Sequence, residues 1–388
     1  RLSRVQLLIG TRKGLFLARS DDSRLHWSIE GPSIEGYEIY HAVLDPLSCQ
    51  TGWAAVRHEV WGTHIYRTED GGGNWTPLST RPAYPPELER EVRAVWHLAP
   101  GGPGRPERVW AGVEPAGLFV SDDSGGSWQW VESLERHPTR VSWQPAKGGL
   151  ALHSIQADPD HPARLYVALS AGGCYRSEDE GGSWTAINRG VRADFLPDPD
   201  PESGQCVHSL RAHPAMSGRL YQQNHCGTYR SDDAGDSWSE ITSDLPSDFG
   251  YVVGLDPRNP DRAWVIPEES SHMRTTCEAR LRVYETVDAG SSWTPRTRGL
   301  PQQHAYVTVL REALATDGLD PCGVYFGTAT GHLYASPDGE RWNLIASHLP
   351  KILSVTASPI VCTGRLDSAS WRAPLHYRRA AGIPSTDS

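Results

Sequence analysis

The run Ser177-Glu178-Asp179-Glu180-Gly181-Gly182-Ser183-Trp184 follows the pattern Ser/Thr-x-Asp-x-Gly-x-x-Trp. Four further full copies stand at Thr68-Asp70-Gly72-Trp75, Ser121-Asp123-Gly125-Trp128, Ser231-Asp233-Gly235-Trp238 and Thr286-Asp288-Gly290-Trp293. Two degenerate copies bracket them: Ser20-Asp22-Arg24-Trp27 lacks the glycine, and Ser336-Asp338-Trp342 is one residue short. The seven tryptophans follow one another at 48, 53, 56, 54, 55 and 49 residues, a spacing that marks a repeat architecture. In each box a hydroxyl and an aspartate can bond nearby backbone amides and close a tight turn. Glycine supplies a positive φ, and tryptophan packs over the turn as a large apolar plug. The aspartates therefore read as structural. One carboxylate per turn is too few for calcium.

Working outward from the box, each repeat holds three more strand-like runs. In the fourth repeat these fall at residues 152–156, 164–169 and 173–176, followed by a last strand at 184–187. Four antiparallel strands per ~50 residues make the blade of a β-propeller. The first repeat begins at residues 5–10, in the position of a second strand, and the run 352–357 supplies the missing inner strand. Ring closure by both chain ends also removes an exposed edge. The expected fold is all-β: one seven-bladed β-propeller over residues 1–358, with 359–388 as a C-terminal tail lacking blade signals. A polar insertion between Val265 and Val283 in blade six is expected to overhang one face. A second long connection, 191–203, precedes blade five.

Composition agrees. Of 388 residues, 38 are Gly and 30 are Pro, too many breakers for a helical bundle, while 15 Trp against 5 Phe fits the repeated box. A net charge of −10 argues against nucleic acid or anionic lipid as partner. No apolar run reaches the length of a membrane-spanning helix. The seven cysteines are odd in number and show no CxxC spacing, so reduced thiols and a cytoplasmic location are the expectation.

In its boxes the chain resembles the Asp-box (BNR-repeat) propellers, from about residue 5 to 357. That group includes sialidases, oligoxyloglucan-processing glycosidases, sorting-receptor ectodomains and a photosystem II assembly factor. The box marks the fold and carries no activity. The resemblance implies a glycosyl-hydrolase-like superfamily but not a true sialidase: those enzymes are six-bladed, with an Arg-Ile-Pro segment absent here. The xyloglucan enzymes resemble two facing propellers, and this chain has length for one.

Ligands of propellers gather where the inner strands start and where second strands turn into third. Seven of the sixteen histidines fall at those places. Imidazoles converging on one axis suit a divalent transition metal such as zinc, copper, iron or nickel. The expected ligands are His58, His153, His208 and His225, with His41, His97 and His304 as further candidates. Each taken alone also reads as a hydrogen-bonded packing residue. Glycoside cleavage asks instead for a pair of carboxylates, for which Glu59, Glu114 and Glu268 are the candidates. Arg12, Arg57, Arg93 and Asn224 are the candidate substrate-binding residues. Pairs His153-Ser154 and His208-Ser209 should point oppositely along a strand, which argues against a serine nucleophile. The resulting expectation is an enzyme of hydrolase or lyase type, acting on a small polar, sugar-like substrate in the central funnel. The rivals are a non-catalytic scaffold binding a ligand or protein on one face, and a metal-dependent oxidoreductase.

Overall fold

The computed structural model describes residues 4–102, 104–145 and 149–360. Seven four-stranded antiparallel sheets follow one another around a central channel. Blade one is completed by Ile352–Pro359, which pairs with Val5–Thr11 ahead of Gly14–Ser20 and Trp27–Ser33. Ring closure thus falls where the sequence puts it, and Ile360 N–H adds a bond to the Arg4 carbonyl. The tail expected from 359 lies, from 361 on, outside the described residues.

Blade four runs Leu152–Ala157, Leu165–Leu169, Gly173–Ser177 and Thr185–Ala186. Its outer strand is only two residues long because the box consumes the backbone before it. Ser177 Oγ donates to Asp179 Oδ1 at 2.8 Å and accepts from Gly181 N–H at 2.7 Å. Asp179 also accepts from the Ser183 amide and hydroxyl, both at 2.8 Å. Boxes two, three, five and six repeat these bonds, so their aspartates are fully committed to the turn.

The tryptophans do more than cover their own turns. Trp238 Nε1–H donates at 2.7 Å to the Ile187 carbonyl of the preceding blade, and Trp293 does the same to Ile241. The boxes of blades five and six are therefore also inter-blade fasteners. Gly235 shows how tight that seam is: its φ is +91°, and a Cβ there would lie 2.6 Å from Ile187 Cδ1.

Blade seven departs from expectation. His304 and Tyr306 do not start its inner strand; both are exposed. Residues 301–310 instead run irregularly along the blade-six insertion, tied by Thr276 N–H to Val307 O and Ala305 N–H to Ala279 O. The inner strand proper is Leu314–Thr316, and Arg311 and Glu312 lead the chain into the channel.

Candidate functional site

In six consecutive blades the inner strand slips register as it enters the channel, in blade one at Leu353 between Ile352 and Ser354. In blades two to six the slips lie between Ile39 and His41, Val95 and His97, Leu152 and Ser154, Val207 and Ser209, and Gly250 and Val253. A bulge of this kind re-aims a side chain. Tyr40, Trp96, His153 and His208 are thus structural equivalents, whereas His41 and His97 correspond to Ser154 and Ser209. The expected single ring of histidines is split between two levels of the channel.

At the deeper level the His41 and His97 rings stack with centroids 4.4 Å apart. Glu312, buried beside them, pairs with Arg211 at 3.2 Å and lies 3.4 Å from His97 Nδ1. Burial opposes ionisation of Glu312, but Arg211 and then His97 outweigh it and hold the carboxyl well below its usual range. Burial pushes His41 down to about 3, with His97 adding to the effect. Its Nδ1 accepts from Leu98 N–H at 3.2 Å, so the proton of the neutral ring sits on Nε2. That nitrogen has no lone pair to give a metal. These groups border a cavity of about 360 Å³ that also contains Gln156.

The other mouth holds two adjoining cavities of about 380 and 220 Å³ that share Tyr251, Arg274 and Arg311. The long connections build its wall: Phe195 and Leu196 come from 191–203, and Ser271, His272 and Arg274 from the blade-six insertion, which overhangs this face as the sequence predicts. The larger cavity is also lined by Cys206, His208, His225, Ser170 and Gln144, and no acidic residue is among its described lining. The smaller one sets Arg12, Lys351, Arg274 and Arg311 against Glu38 and Glu312. Both carboxylates are already engaged, Glu38 by Arg57 at 3.0 Å and Arg12 at 3.4 Å, Glu312 by Arg211. Arg311 stacks over Trp96 at 5.0 Å, and its buried Nη1 has no hydrogen-bond partner. A chain of net charge −10 therefore presents a cationic mouth.

His208 and His225 stay neutral here. Burial lowers both, followed by Arg311 for His208 and Arg274 for His225. The His208 ring stacks on Tyr251 at 4.8 Å.

The remaining sequence candidates go elsewhere. His153 is fully buried and spends both ring nitrogens, Nε2–H on the Val207 carbonyl at 2.8 Å and Nδ1 on Ser154 Oγ at 3.0 Å. It fastens blade four to blade five. That same contact corrects the expectation that His153 and Ser154 point apart: the bulge turns them together. His58 Nδ1 caps its own turn by accepting from Val60 N–H and Trp61 N–H, so it joins neither cluster. His304 is solvent-exposed.

Among the carboxylates, Glu59 is exposed on a turn. Glu114 accepts from Trp96 Nε1–H at 3.0 Å. Glu268 is 1% exposed and lines neither mouth cavity, and burial pushes its pKa up to about 8. The three are not brought together as a pair across a ligand. Arg12 lines the smaller cavity, Arg57 stands behind it holding Glu38, and Arg93 is exposed away from both. Asn224 is fully buried and caps a turn by accepting from Cys226 N–H, which removes it from substrate contact.

Sequence reasoning missed Cys206, Arg274 and Arg311 as site residues. Cys206 stands two residues before His208, just ahead of the strand Val207–Ala212, and the bulge there keeps strand alternation from announcing it. Arg274 and Arg311 depend on the course of the insertion and of residues 301–310, which no periodicity announces.

No family model matches the chain. The oligoxyloglucan-reducing end-specific xyloglucanase of Emericella nidulans is 24% identical over 221 residues, 49% of this chain and 26% of that enzyme. Xyloglucanase Xgh74A of Acetivibrio thermocellus is 24% identical over 277 residues, 60% of this chain and 30% of the enzyme. The chain thus spans less than a third of the length of these curated relatives. Among solved structures, the GH74 enzyme of Niastella koreensis superposes with a TM-score of 0.53 at 14% identity, covering 90% of this chain and 69% of that one. These likenesses agree with the propeller fold.

Proposed function

We propose that this propeller takes a sugar-like ligand carrying an anionic group, such as a carboxylate, into its cationic mouth and acts on it as a hydrolase or lyase. The observation that carries the reading is the Arg311 guanidinium, partly unpartnered, facing a cavity whose described lining holds no acid. An anion placed there gains charge-assisted hydrogen bonds that water supplies less well. Phe195, Tyr251 and Trp96 offer flat apolar surface for a sugar ring. The sequence similarity to two xyloglucanases supports a carbohydrate over other polar ligands. Proton transfer falls to the Tyr251 hydroxyl, which lines both cavities, because the candidate carboxylates stand apart.

That same scatter of carboxylates favours, as second reading, a protein that binds the ligand without turning it over. Incubation with uronate-terminated and with neutral xyloglucan oligosaccharides, followed by mass spectrometry, separates the two. New products from the acidic series only, lost in Tyr251→Phe, support the enzyme. Binding without products leaves the ligand-binding protein. Equal cleavage of the neutral series contradicts the anionic reading.

A further inference from the structure

The ring nitrogens of the channel histidines can be assigned from their backbone partners, because an amide N–H only donates and a carbonyl only accepts. His41 and His58 accept from amides through Nδ1, so each neutral ring keeps its proton on Nε2. His153 has both nitrogens spent. His208 is the opposite case. Its Nδ1–H donates to the Gly250 carbonyl at 2.6 Å, which leaves Nε2 as an acceptor for the Cys206 thiol. That nitrogen faces Cys206 Sγ at 3.5 Å. The ligating atoms of Cys206, His208 and His225 all lie within 4.8 Å of one another.

From this we infer that Cys206, His208 and His225 form a zinc site with an open fourth position toward the larger mouth cavity. Bond lengths of about 2.0–2.3 Å place neighbouring zinc ligands roughly 3.3–3.8 Å apart, so the Cys206–His208 spacing already fits. A carbonyl-anchored imidazole is the arrangement that orients a metal-binding ring and fixes its tautomer. Thiolate with two imidazoles is a soft donor set suited to zinc, and three protein ligands plus a cavity leave room for water or a ligand oxygen. Burial raises the Cys206 thiol above its ordinary range despite Arg311 and Arg274 nearby, so its ionisation has to come with binding of the metal. The same guanidiniums oppose a divalent cation, so the site needs that thiolate and an anion in the open position. The second condition matches an anionic ligand.

The catalytic meaning of this ion rests on the reading of the funnel given above, whereas its binding is measured without any substrate, so the two can fail separately. The test uses the full chain stripped of metal and reloaded with zinc or cobalt. One equivalent of zinc is expected to survive desalting, and cobalt is expected to give a thiolate-to-metal charge-transfer band. Cys206→Ser should abolish the band, and Cys206→Ser and His225→Ala should each release the zinc, with circular dichroism confirming the folded ring. Absence of both zinc retention and the cobalt band in the wild-type chain overturns the inference, as does zinc that persists in both variants.

Discussion

His208 Nε2 lies 3.5 Å from Cys206 Sγ, on a ring pinned by Gly250 at its other nitrogen. The equivalent ring in blade four, His153, turns its Nε2–H to the Val207 carbonyl instead. Two histidines in the same bulge of neighbouring blades therefore have different jobs, and which nitrogen meets the carbonyl decides them.

His153→Ala should act on stability and not on ligand binding. It strands the buried Val207 carbonyl at the seam between blades four and five, a loss of about 1–3 kcal/mol. Chemical denaturation should register this while affinity for the anionic ligand stays unchanged. A loss of binding with unchanged stability would contradict the assignment.

Trp238→Phe should likewise destabilise, by about 1–3 kcal/mol, through the lost bond to Ile187 O across the blade seam. Trp61→Phe, on a residue 65% exposed, is the control and should change little. Thermal unfolding of both variants checks the contrast.

Glu268 gives a pH dependence. Its pKa rises from 4.5 to about 8 on folding, because burial disfavours the carboxylate. The folded chain therefore holds a proton that the unfolded chain has already lost between those values. The stability this group contributes is complete below 4.5 and falls as pH rises through about 8. Glu268→Gln should remove that fall, so wild type and variant should diverge most at alkaline pH. Parallel denaturation curves at pH 5 and pH 9 read it out.

The fold is legible because the box is local: hydroxyl, aspartate, glycine and tryptophan sit within eight residues and close their own turn. Ring closure is legible too, since residues 5–10 begin one strand late. The site is legible only where it follows the blades, as with His208, His225 and Arg12. His41 and His97 were expected beside His153, and the register slip places them a level deeper. A one-residue bulge leaves no mark on the hydrophobic pattern, yet it exchanges which side chain faces the channel. Arg311 is not legible as a site residue. Its place at the mouth follows from the irregular path of residues 301–310, set by bonds to the blade-six insertion.

The most direct test of the cationic mouth is isothermal titration of a uronate-terminated oligosaccharide and its neutral counterpart into the wild-type chain and Arg311→Ala. The account expects the acidic ligand to bind the wild type more tightly. It expects Arg311→Ala to lose about 1.5–3 kcal/mol for that ligand, roughly a ten- to hundredfold weaker affinity. Binding of the neutral ligand should not change. Equal affinity for the two ligands, or an acidic ligand that binds Arg311→Ala as well as wild type, would contradict it.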